Sequence, residues 1–169
     1  MNEKTKRIVM TALMTALTCI ATIIIKIPSP LKGYINLGDC MVLVSAWILP
    51  WGYGFLAAGL GSAIADLLLG YVTYAPVTFI IKGLMALIAF VCFKFLNKKI
   101  GKFYSRLIGA TLAEILMALG YFVFEGFMYG FAPSVVNIPA NCIQGVAGLV
   151  IGMVLIQVLD KVKISQKQL

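Results

Sequence analysis

The stretch from Asp66 to Lys82 reads DLLLGYVTYAPVTFIIK. It predicts two apolar helices joined by a short turn rich in Gly, Tyr and Pro. Each helix carries one charged residue, and at ~1.5 Å per residue both charges lie roughly 6–9 Å from the turn. Charges inside a membrane are costly and usually face a cavity or a partner. We therefore expect Asp66 and Lys82 to line a solute site on that side of the membrane, to form a structural Asp–Lys pair, or, for the lysine, to extend outward.

The composition is that of an integral membrane protein. The chain has 169 residues, 62% of them hydrophobic, and a mean hydropathy of +1.01, whereas soluble domains are ~45–50% apolar. We expect a single membrane domain, 1–169, embedded in a lipid bilayer. The chain has no histidine, and its four cysteines form no C-x-x-C pair, so we expect no metal, no cofactor and no enzymatic activity. The net charge of +8 indicates cytoplasmic loops rather than nucleic-acid binding.

Six apolar segments predict an all-α fold with six transmembrane helices. Their expected ranges are 8–25, 38–50, 53–69, 76–96, 106–128 and 135–159. The second is short for a hydrocarbon core of ~30 Å, so we expect it to be tilted, partly buried or irregular at one end. Most basic residues then fall on one side: Lys4, Lys6, Arg7, Lys94, Lys98, Lys99, Lys102, Arg106, Lys161, Lys163 and Lys167. The positive-inside rule places both termini in the cytoplasm, with Lys26 and Lys32 outside.

Under this topology the polar residues of the spans concentrate in the outer half of the membrane. The charged and amide side chains of this layer are Asp39, Asp66, Lys82, Glu125, Asn137, Asn141 and Gln144, and its tyrosines are Tyr34, Tyr71, Tyr74, Tyr121 and Tyr129. The three amides are spaced by four and then three residues, which places them on one helix face. The shared depth predicts a water-accessible pocket that opens outward.

Each of these residues also has a simpler structural interpretation. Asp39 follows a glycine and is in position to cap the second helix. Tyr34 and Tyr129 suit an interfacial belt of tyrosines. Of the three amides, the first is in position to cap the sixth helix, and the other two suit interhelical hydrogen bonds. Glu114, nearer the middle of its span, suits a pair with a basic group.

Several motifs resemble one family over nearly the whole chain. They are Ala12-x-x-x-Ala16, GYINLGD at 33–39, GSAIADLLLGY at 61–71, APVTFIIKG at 75–83 and IPANCIQG at 138–145. The chain resembles the substrate-binding S components of energy-coupling-factor (ECF) vitamin transporters, in the branch that looks like riboflavin transporters.

The resemblance implies a vitamin-binding subunit of an ATP-driven importer. In that family six helices bind one vitamin from outside, while a transmembrane T component and two cytoplasmic ATPases supply the energy. Ala12 and Ala16 correspond to the motif that packs against the T component. The implied binding residues are Asn36, Asp39, Tyr71, Tyr74, Lys82, Glu125, Asn137, Asn141 and Gln144. The implied ligand is an aromatic heterocycle of the riboflavin, pyridoxine or hydroxymethylpyrimidine type.

Three other functions compete with this interpretation. In a self-sufficient secondary transporter, Asp66, Glu114 and Glu125 would relay protons, but such folds often contain repeats and the sequence shows no clear repeat. A membrane scaffold without a ligand ranks third. A membrane enzyme ranks last, because no catalytic set is present.

Overall fold

A computed structural model describes residues 2–29 and 33–162. The helices are α1 (Glu3–Ile24), α2 (Gly38–Ile48), α3 (Trp51–Leu68), α4 (Ala75–Tyr129), α5 (Phe131–Ser134) and α6 (Ile138–Lys161), with a 3-10 turn at Val135–Asn137. Two short antiparallel strands, β1 (Lys26–Pro28) and β2 (Tyr34–Asn36), connect α1 to α2. The prediction of a mostly helical fold is thereby confirmed, but the expected all-α fold is wrong at residues 26–36, where the connection between α1 and α2 forms the strand pair. Lys32, Lys163 and Lys167, which entered the topology prediction, lie outside the described residues.

Within residues 2–29 and 33–162, four stretches are long and apolar enough to cross a membrane: Glu3–Ile24, Trp51–Leu68, Ala75–Tyr129 and Phe131–Lys161. The third is interrupted at Gly101, whose backbone has φ 81° and ψ 166°. Glycine adopts this conformation readily because it has no Cβ. The two halves of α4, 75–100 and 102–129, then pack against each other, since Ile81 lies at Gly120 and Ala89 at Gly109. They match the predicted fourth and fifth segments; the count of six spans and the side of the termini stay predictions.

Helix α2 lies at the centre of the bundle and contacts α1, α3, α4 and α6. All of its 11 residues except Met41 are buried. The apolar part of α2, which includes Leu43 and Trp47, forms the core together with Met85 and Met117 from the two halves of α4. After its first turn the helix is apolar except for Ser45, whose hydroxyl bonds to the backbone of Met41, because the helix meets protein on every side. Its polar first turn therefore lies inside the bundle rather than at a lipid surface.

The end of the bundle opposite that turn contains a partly buried ion pair. Arg106 binds Asp160 with 2.5 Å between Nη1 and Oδ2. The guanidinium also lies 4.8 Å from the ring centre of Phe93 and 5.7 Å from that of Trp47. A guanidinium stacks well on aromatic faces because its charge is delocalised and weakly hydrated. This cluster joins the end of α2 to both halves of α4 and to α6.

Candidate functional site

A small cavity lies where β2, α3, the turn after α3, both halves of α4 and α6 meet. Its volume is about 30 Å³, which suffices for water but not for an aromatic molecule. Its lining residues are Thr22, Ser29, Gly33, Tyr34, Asn36, Ser62, Asp66, Tyr71, Tyr74, Thr78, Lys82, Tyr121, Glu125, Asn141 and Gln144. The lining is thus almost entirely polar or aromatic within an otherwise apolar bundle.

A chain of hydrogen bonds forms the floor of the cavity. Lys82 forms an ion pair with Asp39 Oδ1, and the two side chains are 2% and 0% exposed. Gln144 Nε2 donates to Asp39 Oδ2 at 2.7 Å, and the Asn36 backbone N–H donates to Gln144 Oε1 at 2.9 Å. Buried charges are tolerated when paired and fully hydrogen-bonded. The floor therefore holds Lys82 and Gln144 in fixed positions and connects them to strand β2.

These contacts correct two sequence-based interpretations. The structural pair of Asp66 with Lys82 does not form: Asp66 Oδ1 instead accepts a hydrogen bond of 2.5 Å from the Tyr34 hydroxyl, while Lys82 binds Asp39. The rise per residue gave the depth of the two charges but not the direction in which each one points. Asp39 does not cap α2 either, because the cap position belongs to Leu37 and the carboxylate bonds to α4 and α6.

Tyrosines and Glu125 form the wall nearer the loops. Glu125 Oε1 accepts hydrogen bonds from Asn137 Nδ2 at 2.9 Å and from the Tyr74 hydroxyl at 3.4 Å. The ring centres of Tyr34 and Tyr71 are 4.8 Å apart, and those of Tyr71 and Tyr74 are 6.2 Å apart. Aromatic faces in this arrangement can pack on a planar ligand.

Tyr34 belongs to this wall and not to an interfacial belt, so that alternative is wrong for it. Burial, together with the nearby charge of Asp66, raises the pKa of the Tyr34 phenol. The hydroxyl therefore keeps its proton and donates a hydrogen bond to the carboxylate. Asn137 occupies the cap position of α6, but its side chain makes no capping bond and turns to Glu125.

The structure brings most of the predicted binding residues to one cavity. Those that line it are Asn36, Tyr71, Tyr74, Lys82, Glu125, Asn141 and Gln144. Asp39 and Asn137 lie behind the lining and bond to residues that form it. Among the lining residues not assigned to the site from the sequence are Thr22, Ser62 and Thr78. Ser62 precedes Asp66 by four residues, a spacing that places both on one face of α3 and was a usable signal.

Glu114 is buried but does not line the cavity. It is 8% exposed, and its carboxyl lies beside α6, where the glycines 145 and 148 leave room for it. Within residues 2–29 and 33–162, neither of its oxygens has a hydrogen-bond partner. The predicted pair with a basic group is therefore not found in that part of the chain.

The alanines of α1 lie in a different place, on the outer surface. Ala12 and Ala16 are exposed and border an apolar groove of about 560 Å³ between α1 and α3, opposite Leu56 and Leu60. Only Met14, Thr18 and Thr22 of α1 are buried. The alanine face of α1 is thus turned away from the cavity and available to another helix.

Comparisons with known proteins identify a family for nearly the whole chain. Residues 2–161 match the family described as "ECF-type riboflavin transporter, S component". The chain is 33% identical over 143 residues to an "Uncharacterized protein in gap 3'region" of Pyrococcus woesei, with 84% of this chain and 93% of the relative covered. It is 24% identical over 163 residues to the "Thiamine precursor transporter HmpT" of Lactococcus lactis subsp. cremoris (strain MG1363), with 95% and 91% covered.

The fold is similar to that of a solved structure described as "Structure and mechanism of the S component of a bacterial ECF transporter". The TM-score is 0.71 at 19% identity, with 94% of this chain and 98% of the other covered. At 19% identity this similarity shows that the two proteins share a fold. Together with the family match, it confirms the resemblance drawn from the sequence motifs.

Proposed function

The chain belongs to the ECF-type riboflavin transporter S component family, and from this premise we propose that it binds one aromatic vitamin in its cavity for an ATP-driven importer. S components are substrate-binding subunits of transporters and not enzymes. The observation that carries the proposal is the polar cavity enclosed in an apolar helical bundle. Family membership does not favour the alternative of a self-sufficient secondary transporter.

The proposed setting is a bacterial-type plasma membrane. The chain forms one domain, 1–169, with six spans and both termini in the cytoplasm. The cavity then lies in the outer half, and the Arg106–Asp160 pair lies towards the cytoplasm. The described residues contain four stretches that are long and apolar enough to cross a membrane, and this number supports a multi-pass protein.

The proposed ligand is riboflavin, pyridoxine or a hydroxymethylpyrimidine. The family name supports the first, and the name of the Lactococcus lactis relative supports a precursor of thiamine. Tyr71 and Tyr74 are positioned to pack on the ring, while Lys82, Glu125 and the amides of α6 would bind its heteroatoms.

Binding requires the cavity to expand. Sites for small molecules usually measure ~300–1,000 Å³, whereas this cavity measures about 30 Å³. Two contacts connect its walls: Tyr34 with Asp66, and Tyr74 with Glu125. In the proposed mechanism the ligand separates these residues and takes over their hydrogen bonds, so that the walls close on the ligand instead of on each other.

We also propose a T component and two cytoplasmic ATPases as partners. The T component would pack on α1, where Ala12 and Ala16 border the groove with α3. Small side chains let a partner helix approach closely in a membrane, and lipid exposure alone gives no reason to prefer them over leucine.

Ligand binding is tested on the purified chain without ATP. Mass spectrometry of the molecules that co-purify identifies the ligand, and tyrosine and tryptophan fluorescence across a panel of vitamins measures the affinity. We expect one aromatic vitamin to change the fluorescence in a saturable manner. Absence of any response to every aromatic vitamin would contradict the proposed function.

The partner is tested with the double substitution Ala12→Leu and Ala16→Leu. We expect unchanged vitamin binding by the isolated chain, but loss of ATP-driven uptake and of co-purification with a T component. The matched control is Val146→Leu with Val150→Leu, two exposed positions of α6 with the same spacing, which should leave uptake normal. Normal uptake by the alanine double variant would rule out the coupling role.

A further inference from the structure

The α4 reversal, residues 95–104, lies at the end of the bundle opposite the cavity and carries positive charge that the protein does not balance. We propose that this reversal binds the headgroup of an anionic phospholipid. Lys98, Lys99 and Lys102 bind the phosphate, and exposed aromatic side chains of the reversal contact the glycerol and the acyl chains. The inference goes beyond the proposed function, because it concerns the other end of the molecule and does not depend on the vitamin.

The position of the reversal places it at a membrane surface. Helix α4 changes direction at Gly101, where φ is 81°, and exposed apolar side chains occur on both sides of the reversal, at Val91 and Ile108. At ~1.5 Å per residue, Lys98 lies ~10 Å beyond Val91 along the helix axis. This distance is comparable with the ~5–8 Å thickness of the polar layer on each side of a hydrocarbon core. The lysines therefore lie at the level of the lipid headgroups.

The three lysines form an unbalanced positive cluster. All three side chains are exposed, and in the part of the chain that the structure describes none of them forms an ion pair. The sequence has no Asp or Glu between residues 67 and 113, and Asp160 at this end already binds Arg106. Basic clusters beside a membrane helix attract anionic lipids, with about fivefold in affinity for each lysine. A phosphate supplies the counter-charge that the chain lacks.

Lys94 lies outside this cluster. Its Nζ is 5.9 Å from the ring centre of Phe90, one helical turn back towards the middle of the bundle. A cation–π contact of this kind partly satisfies the ammonium. The lysines that remain for an external anion are thus those closest to Gly101.

Exposed aromatic side chains accompany the lysines. Phe95, Phe103 and Tyr104 are 68%, 51% and 61% exposed, and the last two rings pack edge to face at 5.4 Å. Phe95 precedes Lys98 and Lys99 by three and four residues, so it shares their side of the helix and lies ~5–6 Å nearer the membrane core. Exposed apolar groups beside charges are typical of membrane contacts. A lipid fits both levels, whereas a free phosphate would leave the rings uncovered.

The experiment is native mass spectrometry of the purified full chain in detergent. Phosphatidylglycerol and phosphatidylcholine with the same acyl chains are added as an equimolar mixture. We expect the chain to retain phosphatidylglycerol at least about 10-fold more tightly, and the preference to fall as salt is raised because salt screens the charges. Equal retention of the two lipids would overturn the inference.

A triple substitution then locates the site. Lys98→Gln, Lys99→Gln and Lys102→Gln together remove three charges, and we expect the preference for phosphatidylglycerol to fall at least about 10-fold. Unchanged preference in this variant would overturn the assignment to the reversal.

The matched control removes three charges from α1 at the same end: Lys4→Gln, Lys6→Gln and Arg7→Gln. Helix α1 begins at this end, because Thr22, near its other end, lines the cavity and lies against Gly38. The control should keep most of the preference. An equal loss in the two triple variants would show that net charge attracts the lipid, and the site would be wrong.

Two further measurements distinguish a lipid from a free anion. Glycerol phosphate shares the phosphate but has no acyl chains, so at the same concentration it should displace no phosphatidylglycerol. Phe95→Ala keeps every charge and should weaken phosphatidylglycerol binding about 3–10-fold through the lost apolar contact. Displacement by glycerol phosphate, or unchanged binding in the Phe95 variant, would mean that the lysines take a soluble anion.

Thermal unfolding separates lipid binding from a structural role. Lysines near the C-terminal end of a helix also stabilise the helix dipole. A triple lysine variant that unfolds at a lower temperature but keeps the lipid preference would show that the lysines serve the helix alone. Unchanged unfolding together with a lost preference is the result that we expect.

Discussion

Among the described residues the bundle contains an ion pair at each end, one fully buried and one partly buried, and the two pairs are built differently. At the cavity end, Lys82 and Asp39 are 2% and 0% exposed, and the second carboxylate oxygen of Asp39 accepts from Gln144, which in turn accepts from strand β2. At the opposite end, Arg106 is 3% exposed and Asp160 is 19% exposed. There the guanidinium packs on the rings of Phe93 and Trp47.

The difference indicates that the two ion pairs have different roles. The Lys82–Asp39 pair continues through hydrogen bonds into the cavity, so a change at the cavity is communicated to the pair. The Arg106–Asp160 pair is covered by aromatic rings and joins helix ends to each other. We therefore expect substitutions at the first pair to alter both stability and ligand binding, and substitutions at the second to alter stability alone.

The largest effect is expected for Lys82→Met. It leaves Asp39 as a fully buried charge without its cation, which typically costs ~3–5 kcal/mol of stability. Ligand binding should also be lost, because Lys82 lines the cavity. Thermal unfolding in detergent measures the first effect, and ligand titration of the folded fraction measures the second.

The partner assignment is tested by adding a second substitution to Lys82→Met. Asp39→Asn removes the unpaired charge and should restore part of the stability, whereas Asp66→Asn should not, because Asp66 bonds to Tyr34. Restoration by Asp66→Asn instead of Asp39→Asn would show that the structural pairing described here is wrong.

A smaller effect is expected for Arg106→Met at the opposite end. Asp160 retains some contact with solvent, and methionine keeps part of the packing against the aromatic rings, so we expect a loss of ~2 kcal/mol in stability. Ligand affinity should stay unchanged. Lys102→Met is the matched control, because Lys102 is an exposed cation at the same end and should change neither property. A large loss of affinity in Arg106→Met would contradict the separation of the two ends.

The smallest of these effects is expected for Tyr34→Phe. The substitution keeps the ring beside Tyr71 but removes the hydrogen bond to Asp66, so we expect a loss of ~1 kcal/mol in stability. The same measurement on Tyr104→Phe, which is 61% exposed, should show no loss. Equal stability of the Tyr34 variant and the native chain would indicate that the two residues do not support the closed cavity.

The sequence predicted the helical segments closely because apolar length and breaking residues act locally. Segments 38–50 and 76–96 were predicted, and the structure has α2 at Gly38–Ile48 and a reversal of α4 at Gly101. The fixed rise per residue also gave the height of each polar residue along its helix, and most of the predicted binding residues do line one cavity. The depth of this layer in the membrane stays a prediction.

Which residues of that layer contact each other was not predictable in the same way. The direction of a side chain around a helix matters only relative to neighbouring helices, and their order is set by the packing of the whole bundle. This is why Lys82 was placed near Asp66 while its real partner is Asp39 on the central helix. Tyr34 was placed in the polar layer but not among the binding residues for a related reason: its hydroxyl bonds to Asp66, which is 32 residues further along the chain.

The shortness of α2 has a consequence for biogenesis. Its 11 residues rise only ~17 Å, little more than half of a hydrocarbon core of ~30 Å, and its first turn contains Asp39. Such a segment is a poor substrate for independent insertion by the translocon, because its apolar length is short and its aspartate is unpaired until Lys82 and Gln144 arrive. Since Gln144 is 105 residues further along the chain than Asp39, we expect α2 to reach its final position only after nearly the whole protein has been synthesised.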